Sequence, residues 1–384
     1  MKKFIFVIAE YNPFHKGHKY HIRKTKKEID CNNLIIILSG NFVQRGEPAI
    51  LNQDIRARMA VKNGADLVIK LPTLYSTASS DFFTFGAIKI IKELNVSGYL
   101  SFGSEAGKLK KLVEVGRYLA KYEKEYYQQI RKFLKNGISV PEAREKFIKK
   151  VFGSEHLLNG SNNLLGIDYI KNIYKFNIEN KVKPFTIKRA GKDYNDISHG
   201  DIMSATGIRK ILKSNGKNWE KLVPKNIKYL FDTKYRKVEN TFLFLKNLII
   251  REGPSIKKYR GVVEGLENLI CNGINKTNSY DDFINELLTK RYTKSFLKRS
   301  LLSIFLNIKK ESFNYLNKRR YPFLEIIDFN KNGQEIIKKL TENSSIPLIH
   351  NVKKYPWKNY YTVDKTLNLM RDLEIRTNQL YDLL

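Results

Sequence analysis

Continuous aliphatic runs alternate with helically spaced apolar residues through the first half of the chain. The runs at Phe4–Ala9, Leu34–Leu38 and Leu67–Leu71 have the length and composition of strands that are buried on both faces. Shorter runs at Tyr99–Phe102 and Pro184–Lys188 continue the series. Between the runs, apolar stripes predict helices at about 16–28, 53–63, 79–94, 108–135, 162–174 and 205–213. Strands and helices that alternate in this way predict a doubly wound parallel sheet.

The pattern changes beyond about Lys213, where strands are no longer evident. Apolar residues recur at helical spacing through Thr241–Arg251, Val262–Leu269, Tyr280–Leu288 and Tyr292–Ile308. We therefore predict an α/β domain at residues 1–213 and a mainly α-helical domain at residues 214–384.

The charge of the chain adds an expectation about partners. The 384 residues include 70 Lys and Arg against 38 Asp and Glu, which gives a formal net charge of +32. Such an excess favours a polyanionic partner, either RNA or an acidic membrane surface, although a genome rich in Lys and Asn codons is an alternative cause. Because no apolar run is long enough to span a bilayer and the short apolar start lacks a cleavage site, we expect a cytoplasmic protein.

The first strand leads into the segment with the clearest chemistry. A turn that contains Pro13 ends the strand, and His15-Lys16-Gly17-His18 then opens a helix. The free N–H groups of a first helical turn and the helix dipole favour a phosphate, which Gly17 allows to approach the backbone closely. His15 and His18 share one face of the helix. We expect each to hold its proton and to donate to a phosphoryl group that gains charge.

Other interpretations of these residues stay open at this point. The spacing of His15, His18 and His21 would suit zinc, but no thiol or carboxylate partner lies nearby in the sequence. Cys31 and Cys271 are too far apart to suggest a disulfide framework or a zinc knuckle. Solvent-exposed histidines at a helix start are the plain structural alternative.

Seven sequence blocks carry a more specific resemblance. They are AEYNPFHKGHKYH at 9–21, SGNFVQRGEPAI at 39–50, DLVIKLP at 66–72, FGSE at 102–105, SNNLLGIDYI at 161–170, SATGIRK at 204–210 and KRYT at 290–293. The first resembles the HxGH motif of the nucleotidylyltransferase (HIGH) superfamily, and the series resembles the bacterial tRNA(Met) cytidine acetate ligase family. The resemblance implies a nucleotidylyltransferase-like α/β domain that binds ATP, followed by a mainly helical tRNA-binding domain.

The same resemblance implies the residues of the site. His15, His18 and Arg209 are expected to be catalytic, and Ser204 begins the helix that carries Arg209. The residues expected to contact ATP are Ile8, Ala9, Glu10, Tyr11, Asn12, Pro13, Phe14, His15, Lys16, Gly17, His18, Lys19, Tyr20, His21, Gly103, Asn162, Arg189, Ser204 and Thr206. The basic residues considered for RNA binding are Arg45, Lys294, Arg299, Arg319 and Arg320, for which an ordinary solvent-exposed charge is the alternative.

The reaction implied by the resemblance is a ligation that activates an acid. Acetate attacks the α-phosphate of ATP, which is expected to bind with Mg²⁺, and acetyl-adenylate and pyrophosphate form. The wobble cytidine of elongator tRNA(Met) then takes the acetyl group on N4 and releases AMP. No nucleophile with an adjacent base is evident, which agrees with direct attack. The alternatives are a small-molecule adenylyltransferase of the same superfamily and a basic RNA-binding protein with a vestigial nucleotide site.

Two positions depart from the family pattern. Gln53 stands where the family usually has Lys, and Lys70 stands where it usually has Glu. If the usual Lys contacts a phosphate, Arg56 or Arg58 would have to take its place in this chain.

Overall fold

The structure, a computed structural model, describes residues 3–153, 160–188, 203–214, 216, 218–356 and 364–384. Its strands are β1 (Phe4–Ala9), β2 (Leu34–Ser39), β3 (Phe42–Val43), β4 (Glu47–Pro48), β5 (Leu67–Leu71), β6 (Gly98–Ser104), β7 (Val182–Lys188), β8 (Leu324–Phe329) and β9 (Leu348–His350). Its α-helices are α1 (Lys16–Ile29), α2 (Gln53–Val61), α3 (Thr73–Ser76), α4 (Ser80–Leu94), α5 (Leu109–Lys121), α6 (Glu123–Lys135), α7 (Val140–Phe152), α8 (Ser161–Lys175), α9 (Ala205–Lys213), α10 (Phe242–Glu252), α11 (Leu266–Ile274), α12 (Tyr280–Glu286), α13 (Lys294–Phe305), α14 (Lys310–Asn317), α15 (Lys331–Asn343) and α16 (Lys365–Leu383). Short 3₁₀ helices lie at Asn218–Lys221, Lys225–Phe231, Val238–Thr241 and Gly253–Lys258.

Seven of these strands form one sheet in the order β7-β6-β1-β2-β5-β8-β9. The first five strands in this order run parallel, whereas β8 is antiparallel to β5. The order of the strands reverses at β1, because β2 and β5 extend the sheet on one side of it and β6 and β7 on the other. A ligand crevice forms at such a switch point, beyond the carboxyl ends of the two strands that meet there. Here those strands are β1 and β6.

Alternate residues of the central strands enter two hydrophobic layers. On β1, Phe4 and Phe6 pack in the layer that contains α4, α5 and α8, whereas Ile5 and Val7 pack in the layer that contains α2 and α9. Every residue of β2 and β5 is buried. Helices that cover both faces explain why these strands are continuous aliphatic runs. The predicted doubly wound α/β class is confirmed.

Two parts of the secondary structure differ from the prediction. Segment 108–135 forms two helices because Tyr122 takes a non-helical conformation (φ −109°, ψ 38°), so that α5 packs on α8 while α6 packs on α7. Strands β8 and β9 lie in the part of the chain where only helices were predicted. The apolar run of β8 is short and is interrupted by the buried Glu325, which hides its strand pattern.

A buried ion triad fastens these later elements to the parallel strands. Lys70 Nζ on β5 lies 3.0 Å from Glu325 Oε2 on β8 and 2.8 Å from Glu374 Oε2 on α16. The N–H of Val352 donates to Glu325, and the N–H and hydroxyl of Thr73 donate to Glu374. Burial disfavours the charge of Lys70, but the two carboxylates outweigh it and raise the pKa of this lysine. The departure from the family pattern at position 70 is therefore matched by local counter-charges.

None of the helices in the described part of the chain is long and apolar enough to cross a membrane.

Replacing Lys70 with Met should lower the free energy of unfolding by about 3–5 kcal/mol, because two buried carboxylates would lose their counter-charge. Urea titration followed by circular dichroism measures this change. The matched control is Lys276→Met, which removes the exposed partner of Glu286 and should change the free energy of unfolding by less than about 1 kcal/mol. Equal effects of the two substitutions would mean that the triad stabilises the fold no more than a surface ion pair.

Candidate active site

The turn after β1 is fixed by contacts with two distant segments. Tyr11 has a positive φ of 45°, and the peptide bond between Asn12 and Pro13 is cis. The side-chain oxygen of Asn12 accepts the Ile50 N–H at 2.8 Å, and its backbone oxygen accepts a hydrogen bond from Arg209 Nη1 at 2.7 Å. The turn that precedes α1 is thus held in one position at the carboxyl end of β1.

His15 and His18 form the first turn of α1 with a reciprocal pair of hydrogen bonds. His15 Nδ1 accepts the Gly17 N–H at 3.1 Å, and His18 Nδ1 accepts the His15 N–H at 3.2 Å. The two imidazole rings stack with their centroids 3.6 Å apart, and the Tyr11 and Phe14 rings flank His18 at 4.7 and 5.6 Å. Because each Nδ1 is an acceptor, each neutral ring carries its proton on Nε2. Both rings can therefore donate to a phosphate without gaining a second proton.

The N–H groups at the start of α1 have partners within the protein. The Lys16 N–H donates to the Leu222 carbonyl at 3.0 Å, and the Gly17 N–H donates to His15. This differs from the expectation that the N–H groups of the first turn are free to face a ligand. The helix dipole still favours an anion at this end of α1. The two imidazoles and Arg209 are then the groups expected to recognise a phosphate directly.

The second motif meets the first at the Asn12 turn. Ser204 begins α9 and accepts the Gly207 N–H at 3.3 Å. Arg209 follows in the second turn of this helix and donates to the Thr206 hydroxyl at 3.2 Å as well as to the Asn12 carbonyl. The structure thus brings α9 to the turn that carries the two histidines, which lie about 190 residues earlier in the chain.

Two carboxylates accompany the arginines at this edge of the sheet. Glu47 Oε1 lies 3.6 Å from Arg209 Nη2, and Glu10 Oε1 accepts the Gln44 N–H at 2.8 Å. Burial raises the pKa of Glu10, although the Gln44 hydrogen bond, Arg209 and Arg45 oppose the shift. Burial lowers the pKa of Arg209, and Glu47 opposes that shift. Sequence reasoning missed Glu47, although it lies within the SGNFVQRGEPAI block and two residues after Arg45.

Arg56 holds the carboxyl ends of β1 and β2. Its guanidinium is fully buried, and Nη1 donates to the carbonyls of Glu10 and Ser39 at 2.6 and 3.0 Å. Nη2 donates to the Gly40 carbonyl, and Nε donates to the Leu51 carbonyl at 2.9 Å. Burial lowers the pKa of Arg56 to about 10. This arginine therefore has a structural role beneath the site.

Both arginines suggested as a substitute for the usual Lys at position 53 have protein partners in this structure. Arg56 is committed to backbone carbonyls, and Arg58 is exposed on α2 with its Nε 4.0 Å from Asp328. Gln53 is buried at the start of α2, where its N–H donates to the Asn41 side chain at 2.8 Å. The suggestion that Arg56 or Arg58 replaces a phosphate ligand is therefore not supported.

On the β6 side of the switch point, Glu105 organises the start of α8. Its carboxylate accepts hydrogen bonds from Asn162 Nδ2 at 2.5 Å and from the Asn163 N–H at 2.9 Å. Gly103 is half-buried and is the second-to-last residue of β6. Gly103 and Asn162 thus lie at the expected edge, whereas Arg189 lies outside the described residues. Glu105 was not predicted as a site residue, although it belongs to the FGSE block.

The remaining predicted residues follow the strand and the helix. Ile8 and Ala9 end β1 and are half-buried, Lys19 is exposed, and Tyr20 is half-buried on α1. His21 Nε2 lies 3.2 Å from Ser101 Oγ and so links α1 to β6. The described residues contain no group of three or more His, Cys, Asp or Glu side chains that could hold a metal ion. The zinc interpretation of the three histidines therefore gains no support.

The sequence is similar over nearly its whole length to proteins of one known family. The sequence model of the HIGH Nucleotidyl Transferase family matches residues 2–384. A tRNA(Met) cytidine acetate ligase of Clostridium tetani is 35% identical over 394 residues, covering 98% of this chain and 94% of the relative. A ligase of the same name from Clostridium kluyveri is 37% identical over 396 residues, with 98% and 94% covered. The chain belongs to the tRNA(Met) cytidine acetate ligase family.

A solved structure agrees with this membership of the ligase family. The structure of Thermotoga maritima TmcAL bound with alpha-thio ATP matches with a TM-score of 0.89 and 28% sequence identity, covering 99% of this chain and 94% of that chain. The resemblance identified from the sequence blocks is confirmed. Which residues contact ATP in this member of the ligase family stays a prediction.

The turn of this ligase-family member carries two unpaired polar groups. Among the described residues, Tyr11 Oη and Asn12 Nδ2 are buried without a hydrogen-bond partner. Buried polar atoms in native proteins are nearly always paired. Both groups belong to the turn between β1 and α1, whose residues are expected to contact ATP.

Of the residues predicted to contact RNA, one group adjoins the carboxyl ends of the parallel strands, where ATP is expected to bind and which is called the ATP edge below. Arg45 is exposed at the tip of the β3–β4 hairpin, and Lys294 is exposed at the start of α13. Gly46 packs so closely on α13 that an added Cβ would lie 2.5 Å from the backbone nitrogen of Arg299. Burial lowers the pKa of Arg299, which is half-buried in this helix. The hairpin and α13 therefore form one surface.

The second group follows α14. The Arg320 guanidinium is 2.5 Å from Glu93 Oε2, so its charge is neutralised locally. Arg319 is exposed, and its guanidinium lies 5.0 Å from the centroid of the Tyr315 ring. Of the two residues, Arg319 is the better candidate for an RNA contact.

Replacing Arg209 with Met should weaken ATP binding about 10- to 100-fold, because charge-assisted hydrogen bonds to phosphate would be lost. Isothermal titration calorimetry with ATP and Mg²⁺ measures the dissociation constant. The control Arg58→Met removes an exposed arginine from α2 and should leave this constant within about twofold. If both variants bind ATP alike, the phosphates do not contact Arg209.

Proposed function

We propose that the protein is an ATP-dependent ligase that joins acetate to the wobble cytidine of elongator tRNA(Met), which forms N4-acetylcytidine, AMP and pyrophosphate. One observation carries the proposal. The HxGH turn and the Arg209 helix meet at the carboxyl end of β1 in a chain that is similar to tRNA(Met) cytidine acetate ligases over nearly its whole length. A cytoplasmic location, where ATP and tRNA occur together, is part of the proposal.

The first step is the adenylation of acetate. A carboxylate is a poor acyl donor because oxide would have to leave, so acetate attacks the α-phosphate of ATP and pyrophosphate departs. The Nε2–H groups of His15 and His18 donate to the phosphoryl oxygens as negative charge grows there. Arg209 holds the departing pyrophosphate, and the dipole of α1 favours the negative charge.

The second step is acetyl transfer to RNA. The N4 amine of the cytidine attacks the acetyl carbonyl, AMP leaves, and the amine proton passes to water. The base must leave its stack in the anticodon loop to reach the adenylate. Arg45 beside the edge and Lys294 on the adjoining α13 are exposed, which supports a role for both in contacting the phosphates of that loop.

Mg²⁺ is proposed to accompany ATP. An ATP-bound Mg²⁺ takes most of its ligands from phosphate and water and needs only one or two carboxylates. Glu10 is a carboxylate at this edge that would supply such a ligand, whereas both oxygens of Glu47 face the cations Arg209 and Lys298. The residues present therefore fit an ion that arrives with the nucleotide.

The proposed roles of the two halves of the chain follow the sequence prediction, except that two late elements support the catalytic half. We place catalysis in residues 1–213 and tRNA binding in residues 214–384. Strand β8 and helix α16, which return to the sheet, support the catalytic part although they come late in the chain.

The function is tested by incubating the protein with ATP, Mg²⁺, labelled acetate and total tRNA. Label should appear in N4-acetylcytidine after nuclease digestion and mass spectrometry, without acetyl-CoA. His15→Ala and His18→Ala should each slow the transfer by on the order of 10²-fold, as the loss of one transition-state donor does. Transfer that requires acetyl-CoA, or AMP joined to a small phosphate ester instead, would contradict the proposal.

Binding of tRNA should weaken steeply as salt increases, because phosphate contacts release counterions. Replacing Arg319 with Ala should flatten the slope of log K against log salt by about one unit if it contacts a phosphate. Arg320→Ala should change the slope less, because Glu93 already neutralises this arginine. Fluorescence anisotropy at several KCl concentrations measures the slopes. An unchanged slope for Arg319→Ala would make it an ordinary surface charge.

A further inference from the structure

Glu47 lies between the ATP edge and the helical half of the protein. Its two carboxylate oxygens face different cations: Oε1 is 3.6 Å from Arg209 Nη2, and Oε2 is 3.3 Å from Lys298 Nζ on α13. The side chains of all three residues are mostly buried, with exposed fractions of 13% for Arg209, 15% for Glu47 and 16% for Lys298. The three groups therefore form a chain of charges that is shielded from solvent.

The backbone around Glu47 is held on both sides. The Gln44 N–H donates to Glu10 at the end of β1, which fixes the hairpin to the ATP edge. Gly46, at a positive φ of 77°, lies against the backbone of Lys298 and Arg299, where a side chain would not fit. The hairpin cannot shift relative to α13 without loss of these contacts, so the position of Glu47 depends on both neighbours.

We propose that Glu47 and Lys298 are positioning residues for Arg209, so that α13 takes part in adenylation without touching the nucleotide. The proposal rests on the proposed function, in which Arg209 holds the departing pyrophosphate. Arg209 already donates to the Asn12 carbonyl and the Thr206 hydroxyl. The Glu47 carboxylate restrains the third side of the guanidinium, and Lys298 holds that carboxylate in place.

The balance of charge also explains why two cations, Arg209 and Lys298, share the single carboxylate of Glu47. A lone carboxylate against Arg209 would neutralise the charge that the pyrophosphate needs. Lys298 shares the carboxylate, so Glu47 can orient Arg209 while the local sum of the three charges stays positive. Because charge on pyrophosphate grows in the transition state, better orientation of Arg209 should raise kcat more than it lowers KM for ATP.

The test is acetate-dependent exchange of labelled pyrophosphate into ATP without tRNA. Glu47→Gln should lower kcat about tenfold and Lys298→Met about threefold, with KM for ATP changed less than about twofold. The double variant should be no slower than Glu47→Gln alone, because Lys298 acts through Glu47. Glu47→Asp and Lys298→Arg, which keep the charges, should each retain more activity than the neutral variants. The control Glu286→Gln breaks the exposed pair with Lys276 and should leave the exchange unchanged.

A loss of about thirtyfold in kcat of the double variant, the product of the two single losses, would overturn the proposal that Lys298 acts through Glu47. A normal rate of exchange by Glu47→Gln would also overturn it. Absence of acetate-dependent exchange in the wild-type protein would instead count against the proposed function. A crystal structure of the Glu47→Gln variant tests the positioning separately from the reaction. The Arg209 guanidinium should move from the Asn12 carbonyl or become disordered, and an unmoved Arg209 would refute the positioning role.

Discussion

A buried guanidinium with backbone carbonyls as its partners underlies the ligand edge of this protein. Glu10 and Gly40 follow the last paired residues of β1 and β2, and their carbonyls, together with that of Ser39, accept hydrogen bonds from Arg56. A buried carbonyl without a donor costs about as much free energy as a lost hydrogen bond. Arg56 meets this need at the place where the sheet must stop, so the turn with the two histidines starts from a fixed point.

Part of the large positive charge of the chain is therefore structural. Arg260 of the helical half likewise has backbone carbonyls as its partners. It donates to the carbonyls of Leu74 and Thr77 in the first half at 2.7 and 3.0 Å, and burial lowers its pKa to about 9. Lys70 is enclosed by two carboxylates, and Arg320 is paired with Glu93. Some of the 70 Lys and Arg side chains therefore stabilise the fold rather than face a nucleic acid. Arg45 and Lys294, by contrast, are exposed to solvent.

The sequence predicts the parts of the site that depend on neighbours in the chain. A strand, a proline turn and a helix start place His15 and His18 within fourteen residues of Phe4, and the structure keeps that order. The pairing of Lys70 with Glu325, or of Glu47 with Lys298, depends on contacts across more than 250 residues, for which one sequence has no periodic signal. The strand β8 escaped prediction for the same reason, since its buried Glu325 makes sense only beside Lys70.

The placement of α16 sets an order on the assembly of the site during synthesis. Glu374, Asn378 and Tyr381 hydrogen-bond to Thr73, Asn41 and Ala49, which the ribosome adds more than 300 residues earlier. At a translation rate of roughly 5–20 residues per second, the loops around the ATP edge are synthesised tens of seconds before these contacts can form. A nascent chain can therefore display its HxGH helix well before that helix has its full support, and ligase activity should appear only once α16 has left the exit tunnel and docked.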